Sequence, residues 1–220
     1  MTSPVTPPLV RWTGLLFVIG SALFMAGVPL SLMSFLPAMV SAITFVVGAV
    51  FFTSAAFLQL LLAQRDLPES EKRVFPVFRG KTWDWSAAAV QFAGTLLFNV
   101  NTIHAAMTIG ADPATINREV WVPDALGSVL FLVSSAIALV PEVRARRHLH
   151  VRSRSWFIAA LNMLGSIFFG LSAIGAYIIV STGEAVDLRW ANSGTFWGGL
   201  CFLVAAAMFG FPPKDKAAAA

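Results

Sequence analysis

The sequence Gly165-Ser166-Ile167-Phe168-Phe169 carries a pattern that occurs six times along the chain. It consists of a glycine, a small residue directly after it, and a phenylalanine four positions after the glycine. The six copies are Gly20 to Phe24, Gly48 to Phe52, Gly94 to Phe98, Gly127 to Phe131, Gly165 to Phe169 and Gly198 to Phe202. Each copy lies in its own apolar segment. The pattern therefore indicates six similar helices.

The composition indicates that these helices are surrounded by lipid. Of the 220 residues, 57% are hydrophobic and only 12% are charged, whereas soluble proteins carry about 25% charged residues. Residues 12–64 contain no Asp, Glu, Lys or Arg. A helix needs about 20 apolar residues to cross a hydrocarbon layer about 30 Å thick, so this first stretch has room for two spans. We expect a multi-pass integral membrane protein.

The fold class expected from this organisation is an all-α, six-helix membrane bundle made of three tandem two-helix hairpins. The hairpins cover residues 11–64, 83–140 and 155–211, with Pro141 ending the second. The expected spans are residues 11–28, 40–64, 83–110, 121–140, 155–181 and 192–211. Residues 1–10 are expected to form a disordered tail and residues 212–220 a second tail.

The hairpins look like copies of one unit. The first pattern glycines of the hairpins are 74 residues apart between Gly20 and Gly94, and 71 residues apart between Gly94 and Gly165. A repeat with an even number of spans keeps its orientation in the membrane, and such parallel repeats are related by an axis along the membrane normal. We therefore expect a pseudo-threefold arrangement of the six helices.

The basic residues predict the orientation in the membrane. Two of them, Arg118 and Arg189, lie in connections on one side, and thirteen lie on the other. The thirteen are Arg11, Arg65, Lys72, Arg73, Arg79, Lys81, Arg144, Arg146, Arg147, Arg152, Arg154, Lys214 and Lys216. By the positive-inside rule, both termini are cytoplasmic. Because the basic residues flank spans, no nucleic-acid partner is expected, whereas the loop Arg144–Arg154 is expected to meet anionic lipid headgroups.

The repeated pattern also defines one face of each helix. At about 100° per residue, the positions three before the glycine and one, four, seven and eight after it lie with the glycine within roughly 120°. Glycines and small residues let helices approach closely in lipid, where the hydrophobic effect does not drive helices together. This face serves either helix packing alone or the lining of a central cavity.

Several polar residues lie on this face or beside it, and we take them as one hypothetical ligand-binding row: Gln91, Asn101, His104, Asp124 and Asn162. Intramembrane ionisable residues are candidates for function by default. Structural roles compete with this hypothesis. Asp124 follows Pro123 and is placed to cap the fourth span, Asn192 is placed to cap the sixth, and the amides are suited to interhelical hydrogen bonds. His104 is expected to meet Asp124, as a satisfied pair or as a proton relay.

Catalytic chemistry is not apparent. The sequence lacks the metalloprotease, phosphate-loop, nucleophile-elbow and Cys-x-x-Cys motifs. Cys201 is the single cysteine, and His148 and His150 lie among arginines, where we expect them to be solvated. We expect no cofactor and no metal site, and an intramembrane enzyme stays open as a third alternative behind the two functions given below.

Three runs of the sequence carry a family resemblance: Trp85 to Asn99, Pro123 to Ser128 and Ala160 to Ser166. They resemble uncharacterised bacterial integral membrane proteins that contain hairpins of the YrhK-type membrane domain. The resemblance implies a bacterial plasma membrane and a helical hairpin. It implies no activity and no site residue.

The sequence favours two functions over an enzyme. The first is a structural or partner-binding membrane subunit, because the uncharged connection Leu30–Met39 carries apolar side chains suited to a protein partner or a second copy of the chain. The alternative is a small transporter or channel-like protein that uses the polar row as its site.

Overall fold

The computed structural model describes residues 8–65, 82–146 and 153–212, except the side chains of residues 65, 145 and 146. The described chain is helical apart from one pair of two-residue strands, which confirms the expected all-helical class. The elements are α1 (Pro8–Leu32), α2 (Ala38–Arg65), α3 (Trp83–Met107), α4 (Pro113–Ile116), a π-helical turn (Asn117–Trp121), α5 (Val122–Arg146), α6 (Arg154–Ala176), β1 (Ile178–Ile179), β2 (Glu184–Ala185) and α7 (Leu188–Gly210). Residues 1–7 and 213–220 of the expected tails, and most of both basic connections, lie outside the described residues.

Five described helical segments are long and apolar enough to cross a membrane: Pro8–Leu32, Ala38–Gln64, Pro113–Arg144, Arg154–Ala176 and Leu188–Gly210. The apolar character of these segments indicates a membrane-embedded protein. The helix α3 has the length of a span, but Gln91, Asn99, Asn101 and His104 lower its hydropathy. The packing of α3 against its neighbouring helices therefore says more about its place in the fold than its composition does.

The six long helices form a closed ring. Following the chain, each packs against the next long helix, so that α3 lies between α2 and α5, and α7 returns to α1. The ring closes through a direct contact of two backbones: a Cβ atom added to Gly14 would lie 2.5 Å from the Cα of Gly210. Only residues without side chains permit this approach.

Within each of the three helix pairs, the pattern glycine of one helix lies against the pattern phenylalanine of the other. For example, a Cβ atom added to Gly94 would lie 2.7 Å from the Phe131 ring, and one added to Gly127 would lie 3.3 Å from the Phe98 ring. The remaining contacts are Gly20 with Phe52, Gly48 with Phe24, Gly165 with Phe202 and Gly198 with Phe169. Five of these glycines thus make room for a phenylalanine ring, and Gly20 makes room for the backbone of Phe52.

These rings fill the centre of the bundle in two groups. The first phenylalanine layer consists of Phe24, Phe98 and Phe169, from α1, α3 and α6, and the second consists of Phe52, Phe131 and Phe202, from α2, α5 and α7. In the second layer the three ring centroids are 5.6–5.9 Å apart. In the first layer Phe169 lies 5.9 Å from Phe24 and 5.6 Å from Phe98. All six side chains are 2–7% exposed.

Two prolines lie within helices. The expectation that Pro141 ends a span is wrong, because α5 continues to Arg146. Pro29 likewise lies inside α1, which ends at Leu32. Both prolines fall close to the C-terminal ends of their helices, where few residues remain to be displaced by the kink that a proline ring causes.

Two helix boundaries also differ from the expected spans. Residues 113–121, expected as a loop and the start of a span, are already helical, because Asp112 caps α4 and the π-helical turn joins α4 to α5. At the other boundary α6 ends at Ala176 instead of residue 181. The β-branched residues Ile178 and Ile179 prefer extended backbone, and they pair with Glu184 and Ala185 across a turn in which Gly183 adopts a φ of 74°.

We predict that Gly14→Ala lowers the free energy of unfolding by about 1–3 kcal/mol, because the new methyl group meets backbone atoms of Gly210 that no side-chain rotation can move. Thermal unfolding in detergent, followed by circular dichroism, measures the change. The matched control is Gly170→Ala, where the nearest atom is a Leu132 methyl 3.5 Å away. Equal effects of the two substitutions would contradict the proposed ring closure.

Candidate functional site

The two phenylalanine layers have a cavity on either side. The larger one, which we call the Asp124 cavity, has a volume of about 220 Å³ and is lined by residues from all six long helices. Its polar lining includes Asn101, Asp124, Ser172, Asn192 and Thr195, whereas α1 and α2 contribute mainly apolar groups such as Val28 and Phe45. The three rings of the first phenylalanine layer form part of its wall.

The smaller cavity, which we call the Gln59 cavity, has a volume of about 40 Å³. Three amide side chains line it, those of Gln59, Gln91 and Asn162. Phe52 and Phe202 of the second phenylalanine layer form part of its wall.

The structure therefore divides the hypothetical ligand-binding row. Asn101 and Asp124 line one cavity, whereas Gln91 and Asn162 line the other, so the expectation of a single row is wrong. The physical reason is that successive long helices are antiparallel. The position three residues before the pattern glycine therefore points to opposite ends of the bundle in odd and even helices: Phe17, Gln91 and Asn162 reach the Gln59 cavity, and Phe45, Asp124 and Thr195 reach the Asp124 cavity.

Asp124 does not cap a helix. The helical backbone runs without a break from Pro113 through the π-helical turn into α5, so no free N–H groups are available beside Asp124. The cap of this segment is Asp112, whose carboxylate accepts hydrogen bonds from the Thr115 backbone N–H at 3.0 Å and the Thr115 hydroxyl at 2.6 Å. These hydrogen bonds from Thr115, the hydroxyl first, lower the pKa of Asp112.

The Asp124 carboxylate receives no hydrogen bond and forms no ion pair within the described part of the chain. It is partly buried, and it lines the Asp124 cavity. An ionisable group in the interior of a membrane protein is costly without a partner, and such groups mark ion and substrate pathways.

Asn101 reaches the cavity from α3 and is held in place by the π-helical turn. Its side-chain amide donates a hydrogen bond of 2.9 Å to the carbonyl of Val120. A π-helical turn displaces backbone carbonyls from their usual partners, which makes Val120 available. Since the amide nitrogen is used in this way, the amide oxygen of Asn101 remains as a hydrogen-bond acceptor.

Two hydroxyl groups join α6 to α7 at the cavity wall. The hydroxyl oxygens of Ser172 and Thr195 lie 2.7 Å and 2.9 Å from the carbonyl oxygen of Ala191 and 2.8 Å from each other, so their two protons are shared among these three contacts. Their protons are occupied by these bonds, so the lone pairs of the oxygens are what they can offer to a ligand. The cavity thus presents acceptors around one carboxylate.

Asn192 lines the cavity and is not a cap. The helix α7 begins at Leu188, and Asp187 caps it by accepting from the backbone N–H groups of Arg189 at 2.8 Å and Trp190 at 3.3 Å. Asn192 therefore lies in the second turn. The hypothetical row omits Ser172, Asn192 and Thr195, although Ser172 lies seven residues after a pattern glycine and Thr195 three before one.

His104 lies apart from Asp124. Its Nδ1 atom is 3.9 Å from the Glu119 carboxylate, too far for a hydrogen bond but close enough for an ion pair when the histidine is protonated. The expected pairing of His104 with Asp124 is therefore wrong. The π-helical turn, which the sequence did not reveal, places Glu119 rather than Asp124 beside His104.

The distribution of His, Cys, Asp and Glu side chains bears on metal binding. In residues 8–65, 82–146 and 153–212, no three side chains of His, Cys, Asp or Glu lie close enough together to hold a metal ion. A single carboxylate with amide and hydroxyl oxygens is better suited to a ligand that carries one positive charge and hydrogen-bond donors.

A scan against protein-family models, a search of curated proteins and a search of solved structures found no match to this chain.

We predict that Asn101→Ala lowers the free energy of unfolding by about 1–3 kcal/mol, because the carbonyl of Val120 is left without its partner. Asn192→Ala is the control, since this side chain lines the same cavity but holds no displaced carbonyl among the described residues. Chemical denaturation in detergent measures both. A smaller effect for Asn101→Ala than for Asn192→Ala would show that the π-helical turn does not depend on the amide.

Proposed function

We propose that this protein is a transporter or channel-like membrane protein whose Asp124 cavity binds a small cationic solute. The observation that carries the proposal is the Asp124 carboxylate, which lines a cavity of about 220 Å³ without any partner in the described part of the chain. An unpaired ionisable group inside a membrane protein is costly, so we expect the Asp124 carboxylate to have a function. A bound cation supplies its missing partner.

The lining of the Asp124 cavity favours a solute that has both a charged, hydrogen-bond-donating group and an apolar group. The oxygens of Asn101, Ser172 and Thr195 accept hydrogen bonds, so they favour a group that donates several, such as an ammonium group. The opposite wall carries Phe24 and Phe45, whose ring centroids are 5.7 Å apart. Aromatic faces attract cations and also tolerate alkyl groups. A small alkylammonium ion fits both walls.

The proposed topology follows from the sequence. All six long helices, α3 included, cross the membrane, and the three hairpins are repeats of one unit around a pseudo-threefold axis. The distribution of basic residues, thirteen against two, supports cytoplasmic termini. The Asp124 cavity then faces outward, and the Arg144–Arg154 loop meets anionic headgroups. The resemblance to bacterial membrane proteins of the YrhK type supports a location in the bacterial plasma membrane.

A second candidate function is a structural membrane subunit that binds a protein partner or a second copy of the chain. The specific observation is the α1–α2 connection, where Leu32 is 65% and Phe35 is 79% exposed without any charged residue nearby in the sequence. Exposed apolar groups at the membrane surface favour association.

We predict that Asp124→Asn changes the charge selectivity of the cavity. A cysteine replaces Asn192 in a Cys201→Ala background, and the labelling rates of a cationic and an anionic thiol reagent are compared in alkaline buffer. The ratio of cationic to anionic rates should fall at least about tenfold, because unit charges about 10 Å apart interact by about 1.7 kcal/mol at an effective dielectric constant of about 20.

The control for this prediction is Asp112→Asn, which removes a carboxylate outside the cavity and retains a residue that caps helices well. Methylammonium should protect the cysteine from the cationic reagent only when Asp124 is present. An unchanged rate ratio in Asp124→Asn, together with no protection by methylammonium, would remove the basis for the proposed function.

For the second candidate, we predict that Phe35→Ser reduces the assembly mass in mild detergent, because the substitution removes the most exposed large ring of the connection. Val180→Ser is the control, since Val180 is also exposed, at 57%, but lies in the turn after β1. Light scattering of the purified protein measures the mass. A wild-type protein that is already monomeric, with no copurifying partner, counts against the subunit function.

A further inference from the structure

The Gln59 cavity contains a polar atom that the protein leaves unsatisfied. The side-chain oxygen of Gln59 is buried and has no hydrogen-bond partner among the described residues. A buried acceptor without a partner costs about 1–3 kcal/mol, so a molecule with hydrogen-bond donors is expected in the cavity. The volume of about 40 Å³ holds roughly two or three water molecules, since one needs about 10–15 Å³ on this measure.

The region between the two cavities is apolar and closed. A void of about 10 Å³ lies there, lined by Phe24, Ala49, Phe52, Thr95, Phe98, Phe131 and Phe169. The one hydroxyl in this lining, that of Thr95, donates to the carbonyl of Phe92. The void is barely the size of one water molecule, and its lining offers almost no polar partners, so it stays dry.

The rings on either side of this void are shared with the cavities. All three rings of the first phenylalanine layer line the Asp124 cavity, and two of the second layer line the Gln59 cavity. Displacement of a few rings is therefore enough to join the two polar cavities. No backbone lies across this path, because the six long helices enclose the phenylalanine side chains.

We propose that the two phenylalanine layers form a hydrophobic gate between two polar sites, and that the Gln59 cavity is a second site, which receives water or a small cation passing from the Asp124 cavity. Hydrophobic constrictions close pores by excluding water, without a covalent or charged barrier. The amide oxygens of Gln59, Gln91 and Asn162 solvate a cation without fixing it by a full charge. Such a site releases its occupant readily.

Phe131 is the most buried of the six rings that form the gate. It is 2% exposed, and its centroid lies 5.6 Å from Phe202 in its own layer and 5.0 Å from Phe98 in the first layer. It also lies 5.9 Å from Phe52. Because Phe131 contacts both layers, it cannot rotate without the movement of rings in each. Its removal should therefore open the path between the two cavities.

This inference rests on the proposed function only for the nature of the solute, because the gate itself follows from the cavities and the rings. The experiment measures uptake of radiolabelled methylammonium into proteoliposomes. We expect Phe131→Ala to increase the uptake about tenfold or more over the wild-type protein. The control Phe157→Ala, which removes a partly exposed ring of α6 outside both layers, should leave the uptake unchanged.

A labelling experiment gives a second, independent measurement. A cysteine replaces Asn162 in a Cys201→Ala background, and a cationic, membrane-impermeant thiol reagent is added from the side on which a Glu184→Cys control reacts. The gate predicts protection in the presence of Phe131 and labelling in Phe131→Ala. Phe131→Leu, which retains most of the packing, serves the same comparison if the alanine variant does not fold.

The outcomes separate the two proposals. The gate would be overturned if a folded Phe131 variant took up methylammonium at the wild-type rate and its Asn162→Cys side chain stayed protected. Labelling of Asn162→Cys in the protein that retains Phe131 would overturn it as well. Increased uptake that Asp124→Asn does not reduce would support the gate and count against the role of Asp124. If Asp124 determines the charge selectivity but the Phe131 substitutions change neither uptake nor labelling, the cavity binds a cation and the gate is overturned.

Discussion

The contact between glycine on one helix and phenylalanine on its neighbour is the interaction on which the remaining structure depends. Lipid supplies no hydrophobic drive for helices to associate, so close packing must hold them together. The missing side chain of Gly94 makes room for Phe131, and that of Gly127 for Phe98. The α6–α7 pair repeats this exchange in both directions and the α1–α2 pair in one, and the six rings meet at the centre of the bundle. Aromatic pairs of this kind contribute about 0.5–1.5 kcal/mol each beyond their burial.

The helices and the packing face can be read from the sequence, because apolar length and residue periodicity are local properties. The positions of the polar residues in space are harder to predict, because they depend on the direction of each helix. Gln91 and Asp124 occupy the same place in the pattern but lie in opposite cavities, since α3 and α5 are antiparallel. The pattern alone places both residues in one row, and only the pattern combined with the alternating direction of the helices separates them.

Local signals are misleading where two of them compete. Pro123-Asp124 and Asp112-Pro113 both resemble helix starts, and only the second is one, because the hydrogen bonds of Thr115 hold Asp112 at the cap. The π-helical turn between them has no sequence signature, yet it decides which carbonyl Asn101 binds and which carboxylate faces His104. The sequence therefore favours a capping role for Asp124, although this residue lies in the middle of a continuous helical segment and lines a cavity.

The unlike first hairpin gives each cavity two different walls. Where the other hairpins place Gln91, Asp124, Asn162 and Thr195, the first places Phe17 and Phe45. Three identical polar walls would surround a ligand evenly and would favour water or a bare ion. One aromatic wall opposite a carboxylate instead distinguishes the two ends of a ligand, because the carboxylate attracts a charged group while the rings accept an apolar one. The aromatic residues at these two positions thus support the proposed alkylammonium ligand over an inorganic cation.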